Sequence, residues 1–174
     1  MPALLPWRRK VKKTLSLVLL ISCVLPAVAQ PAPPPMKLFT AGADIPAVIA
    51  KAKADQKSPN VNSTEPVGVY GPYRVLLEYR TGLTPPTVHH GQTELVYVLQ
   101  GNATLVSGGH LTGIQPPRPG SSTDMGTGIE GADRSQALSK GDILLVPAET
   151  AHQFQNVSGE FVILSVHMLM PQNG

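Results

Sequence analysis

His89-His90-Gly91-Gln92-Thr93-Glu94-Leu95-Val96-Tyr97-Val98-Leu99-Gln100-Gly101 is the stretch on which the reading of this chain turns. It opens on two imidazoles and a turn, then runs into a short apolar segment that ends at a glycine. The valines at 96 and 98, the tyrosine and the terminal Gly-Asn mark that segment as a strand. Residues two and four apart share a strand face, so Glu94, Val96 and Val98 point one way and Leu95, Tyr97 and Leu99 the other. A carboxylate at the head of an apolar face needs a countercharge, because burying a lone charge is costly. His90, four residues earlier, shares that face if the backbone stays extended. About fifty residues on, Gly141–Asn156 (GDILLVPAETAHQFQN) repeats the arrangement of β-rich run, turn and imidazole, here His152. His90, Glu94 and His152 are therefore a candidate metal-binding trio.

Outward from these segments, the N-terminus reads as a leader. Arg8, Arg9, Lys10, Lys12 and Lys13 precede an apolar stretch, Leu15–Leu25, that is short for a membrane span. Ala27-Val28-Ala29 follows as a cleavage pattern that would make Gln30 the first mature residue. The expected organisation is a signal peptide over 1–29, a linker over 30–42 and one domain over 43–174, in a periplasmic or secreted protein. Leu20-Ile21-Ser22-Cys23 is a competing lipoprotein-like box; the apolar residues that continue to Ala29 favour soluble export. Cleavage removes five of the fourteen Lys and Arg residues and no acidic one, leaving nine basic against eleven acidic groups. The high whole-chain pI thus belongs to the leader. The mature chain has no basic cluster to neutralise phosphates, so nucleic acid is not an expected partner. The single cysteine, Cys23, lies in the leader, so no disulfide is expected in the domain.

The mature chain starts Pro/Ala-rich, and Asp44–Gln56 is the one expected helix. Asp44 is placed to cap it, Pro46 suits its first turn, and Ile45, Ile49 and Ala52 recur at helical spacing. Residues 57–65 read as turn. Strands are expected over Tyr73–Arg80, with Tyr73, Val75, Leu77 and Tyr79 on one face, and over Glu94–Gln100, Ala103–Ser107, Ile143–Val146, Ala151–Val157 and Phe161–Met170. Residues 116–134, rich in Pro and Gly, read as a structureless insertion, either a lid or a solvated loop. Many short strands after one helix give an all-β fold, a jelly-roll or barrel.

The two segments resemble the two motifs of the cupin superfamily. Gly82, His90, Glu94 and Gly101 fall at the spacings of the first motif, with Val88 where its first histidine stands. Gly141, Pro147, His152 and Asn156 fall at those of the second, with Glu149 in place of its internal glycine. The resemblance covers residues 82–156 and implies a cupin-type β-barrel, commonly a homodimer, with one more histidine in the usual ligand set. His89 is an alternative ligand, with four residues between it and Glu94, which is also an allowed spacing; the position of Gly82 favours His90.

Two histidines and a carboxylate are the ligand set of non-haem Fe(II) oxygenases and also of catalytic zinc, so Fe, Mn, Ni or Zn all suit it. The expected partner is a small oxygen-rich molecule, and the reaction class a metal-dependent dioxygenase or a lyase/decarboxylase. The alternative is a non-catalytic periplasmic cupin that binds a small ligand without metal. Gln92, Glu149 and Asn156 are the expected pocket residues. His110 and His167 are read as structural, and the outer face of Leu95, Tyr97 and Leu99 as packing or dimer contact.

Overall fold

The computed structural model describes residues 35–171, so the expected leader and the first part of the linker lie outside the described residues. Within the expected linker, Lys37 exchanges backbone hydrogen bonds with Val69, and Thr40 Oγ1 donates to Val67 O at 2.6 Å. A 3-10 turn, Gly42–Asp44, leads into α1 (Ile45–Asp55). Pro46 lies in the first turn, where its missing N–H has no helical partner to lose. Asp44 makes no side-chain capping bond, contrary to the expectation. No helix of the described residues is long and apolar enough to cross a membrane.

Ten strands follow: β1 (Ser63–Tyr70), β2 (Tyr73–Arg80), β3 (Thr87–His89), β4 (Gln92–Ser107), β5 (His110–Thr112), β6 (Thr123–Met125), β7 (Gly128–Glu130), β8 (Arg134–Leu138), β9 (Ile143–Val146) and β10 (His152–Leu169). The main sheet runs β1-β2-β10-β3-β6, and β4 pairs with β10, β8 and β9. β5 and β7 form a separate two-stranded ribbon. Every pairing is antiparallel. The fold is the expected all-β jelly-roll barrel with one short helix.

β4 and β10 are long because each joins two of the expected short strands across a bend. They pair from Gln92↔Leu169 to Ser107↔His152, with the register shifting between Gln155 and Ile163. Gly101 (φ 81°), Asn156 (φ 52°) and Gly159 (φ 67°) take left-handed backbone at that bend. At Gly101 a Cβ would lie 2.0 Å from Glu160 O, so only glycine fits. The bend curls the sheet until the two ends of one strand pair face each other. Glu94, opposite His167, is thereby brought to His152, which lies opposite Ser107.

Two apolar cores result from the period-two alternation. Val96, Val98, Leu105, Phe154, Phe161 and Ile163 fill the barrel. On the outside, Leu77, Tyr79 and Val162 meet Ala52 of α1, with Ile45, Val48, Ile49 and Leu99 packed around them. The apolar face expected for Tyr73–Arg80 is thus the outer one, beneath the helix. Its other face, Leu76, Glu78 and Arg80, points into the barrel. Residues 63–65, read as turn, begin β1. That strand escaped the pattern because a bulge between Pro66 and Gly68 breaks its alternation. The segment 116–134 is not structureless: it carries β6, pinned to β3, and β7, paired with β5.

Candidate metal centre

At one mouth of the barrel four side chains converge. Glu94, 3% exposed, heads the inner face of β4. His152 Nε2 stands 3.2 Å from its Oε2 and His89 Nε2 3.6 Å from the same oxygen. His167 Nε2 is 3.9 Å from Oε1. Ligand atoms of His89, Glu94 and His167 all lie within 4.8 Å of one another. Three strands supply them: β3 carries His89, β4 carries Glu94, and the two ends of β10 carry His152 and His167.

The second nitrogen of each ring decides what the first can do. His152 Nδ1 lies 3.1 Å from Thr150 O, an oxygen that can only accept, so Nδ1 carries the proton. His167 Nδ1 lies 3.1 Å from Gln92 Oε1, and that amide is oriented by donating its Nε2 to Ser122 Oγ at 2.8 Å. His89 Nδ1 is 2.9 Å from Thr123 Oγ1. With Nδ1 engaged in this way, each ring presents its Nε2 to Glu94. A hydrogen-bonded outer nitrogen that fixes the tautomer is what metal-ligating histidines use. Glu94 Oε2 has no hydrogen-bond partner despite its burial, so the imidazoles are close to it without being aligned on it. A buried carboxylate oxygen with no donor among the described residues, close to ring nitrogens, fits a cation between them.

The electrostatics agree. Burial alone would push the Glu94 carboxyl up, but His152 and His89 outweigh it and hold the group well below the usual carboxylate range. Burial pushes the His167 imidazole down, more than the Glu94 charge raises it, which keeps the ring in its ligating form.

Of the expected trio, the fold brings Glu94 and His152 together and leaves His90 out. The His90 ring is half exposed and is held between two carboxylates, Nδ1 to Glu149 Oε2 at 2.6 Å and Nε2 to Asp124 Oδ2 at 2.9 Å. Those contacts, Asp124 first and then Glu149, raise its pKa. His90 clamps the β3–β4 turn to β6 and to the β9–β10 turn. His89, the alternative, takes the inner position, because adjacent strand residues face opposite sides. Thr87 shares that inner face and stands 3.2 Å from His152 Nε2, where a His-x-His pattern would place its first histidine. His167, read as structural, is the added member.

The expected pocket residues are corrected in turn. Gln92 does not line the cavity but orients His167. Glu149 is an exposed turn residue with positive φ (61°) that accepts from Gly91 N–H at 2.8 Å. Asn156 is exposed at the bend of β10, donating to Thr104 Oγ1 at 3.3 Å. The cavity itself, about 540 Å³, runs from the His/Glu cluster to Glu78 and Arg80 on β2 and is bordered by residues 115–118 and 121–125. The sequence signal for His167 was the alternation Phe161, Ile163, Ser165, His167, which carries it onto the barrel's inner face.

A curled antiparallel barrel with imidazoles and a buried carboxylate at its mouth defines a class of small-ligand barrel proteins. The cupin family profile matches residues 67–173, well over half of the chain, and the chain belongs to the cupin family. Comparison with curated proteins gives no match. Among solved structures, it is similar to hydroquinone 1,2-dioxygenase in complex with Cd2+ and 4-hydroxybenzonitrile, at 21% identity over 79% of this chain and 82% of that one, with a TM-score of 0.52. It is also similar to a cupin superfamily protein from Desulfitobacterium hafniense DCB-2, at 16% identity over 79% of this chain and 100% of that one, with a TM-score of 0.48.

Proposed function

We propose that this chain is an exported cupin that holds one divalent metal ion between His89, Glu94, His152 and His167 and acts on a small oxygen-rich molecule in the adjoining cavity. The observation that carries this reading is the buried Glu94 carboxylate, its Oε2 without a hydrogen-bond partner among the described residues, with the Nε2 atoms of His152 and His89 beside that oxygen and that of His167 beside Oε1, each ring held from behind at Nδ1. Four donors would close a tetrahedral zinc site, whereas six-coordinate Fe, Mn or Ni would keep open positions for a ligand. When bound, the ion supplies Lewis-acid or redox chemistry of the dioxygenase or lyase/decarboxylase class. The chain's own part is to orient the molecule between β2 and the histidine cluster and to exclude water with the apolar barrel below.

Thr87 favours the second reading, a binding barrel without metal. Its hydroxyl can satisfy His152 Nε2, and a protonated imidazole could then balance Glu94. Reconstitution separates the two. The full chain, refilled anaerobically with Fe(II), Mn(II), Ni(II) or Zn(II), is expected to hold one ion per chain, as is His90→Gln, while His89→Gln loses it. No stoichiometric ion in the wild type, or loss in His90→Gln alone, would favour the metal-free or the original trio reading. The same preparation, taken from the periplasm, is expected by mass to begin at Gln30 and by light scattering to be a dimer. The outer face supports that assembly: Ile143 and Leu145, 69% and 57% exposed, lie beside Tyr97 and Leu95. Leu99, by contrast, is covered by α1.

A further inference from the structure

We propose that the ligand of this cavity is a small carboxylate, and that Arg80 is the residue that binds its carboxyl group. The proposal rests on the cavity being the ligand site and does not require the ion. Arg80 ends β2 on the barrel's inner face, and its side chain is 8% exposed. Nη2 donates to Glu78 Oε2 at 2.7 Å, but Nε and Nη1 are buried and have no acceptor among the described residues. Guanidinium donors cannot be neutralised by losing a proton, so buried, unspent N–H groups are an unfilled requirement for acceptor oxygens. The Phe154 ring lies 4.8 Å from the Arg80 guanidinium carbon; it steadies the charge but offers no in-plane acceptor.

Glu78 cannot meet that requirement. It already accepts from Ser165 Oγ, from Asn62 Nδ2 at 2.9 Å and from Arg80. Its role is to hold the guanidinium in place. The charges around the cavity point the same way. Among the described lining residues the basic groups are Arg80 and Arg118 and the acidic ones Glu78 and Glu94; Glu78 is already engaged and Glu94 sits at the far, histidine end, so the Arg80 end is the one suited to an anion. Arg118 is exposed on the bordering segment, and among the described residues its side chain donates only to the weak acceptor Met125 Sδ, at 3.3 Å, so it can add a second contact. Spacing selects a small molecule. One ring, Phe154, separates Arg80 from His152, its centroid 6.4 Å from the imidazole. A carboxylate on Arg80 thus leaves the other end of a compact acid at the histidine cluster. Arginine's planar fork matches carboxylate geometry.

The test titrates the full chain, metal-free and Zn-loaded, with malonate, benzoate, their neutral counterparts malonamide and benzamide, and inorganic phosphate. At least one acid is expected to bind ~10-fold or more tightly than its amide, and Arg80→Gln to weaken that acid ~10-fold or more with ion content unchanged. Arg118→Gln should weaken it less. Acids and amides binding alike, neither acid binding in either form, phosphate binding in preference to both acids, or an unchanged affinity in Arg80→Gln would each overturn the proposal. Should Arg80→Gln fail to fold, the acid-to-amide comparison in the wild type decides alone. Ion content measured on the same samples keeps a failed metal site distinct: acid binding in metal-free wild type upholds the Arg80 assignment whether or not the centre takes an ion.

Discussion

Glu78→Leu is expected to destabilise the metal-free fold by about 3–5 kcal/mol, the cost of removing one partner from a buried ion pair. Glu78 is 5% and Arg80 7% exposed. Removing the carboxylate strands a permanent cation against Phe154 and leaves the hydroxyl of Ser165, itself fully buried, without its acceptor. The double change Glu78→Leu/Arg80→Met removes both charges and should recover much of the loss, since replacing a whole buried pair by apolar groups is often neutral. Denaturant unfolding of the wild type, both single variants and the double gives the coupling directly. A Glu78→Leu variant within 1 kcal/mol of the wild type, or a double variant as unstable as the two losses added, would remove the pair from its organising role.

Glu94→Gln is the second large effect, and it separates folding from metal. The amide fills the same volume and brings N–H donors to the ring Nε2 atoms, so the barrel should remain folded. What it loses is the negative charge that the buried site holds in its ionised form. Outer-shell partners of metal ligands are worth 10–100-fold in affinity, and a ligating carboxylate should cost at least about that much. In thermal unfolding the wild type at 100 times its Kd for the ion should gain about 2.7 kcal/mol, and Glu94→Gln should gain about 1.4 kcal/mol or less at that concentration. An equal gain in both proteins would place the ion elsewhere; no gain in the wild type would favour a barrel that binds ligand without it.

The architecture was legible because it is written in local alternation. The face of Glu94, Val96 and Val98 is inside, the Phe161–Met170 run is a strand, and α1 lies where the helical spacing put it. The site was legible only in part, because one residue of register exchanges the faces of a strand. Spacing from Gly82 selected His90, but the register of β3 is set by pairing with distant partners, His89 with Thr123 and Thr87 with His152. No local pattern contains that information. His167 was missed for a similar reason. It reaches Glu94 only because β4 and β10 pair across the barrel. Glu78 and Arg80 were not singled out, since their alternation with Leu77 and Tyr79 has the same period whichever face is buried. The helix on the outside decides it, making the polar face the inner one.

The most direct measurement of the central claim is the anomalous difference map of a zinc- or manganese-soaked crystal of this protein. The account predicts a peak bounded by His89, Glu94, His152 and His167, within about 2.0–2.2 Å of their nitrogens and a carboxylate oxygen for zinc. A peak among His90, Asp124 and Glu149 with none at Glu94, or no protein-bound peak at full soak, would contradict it.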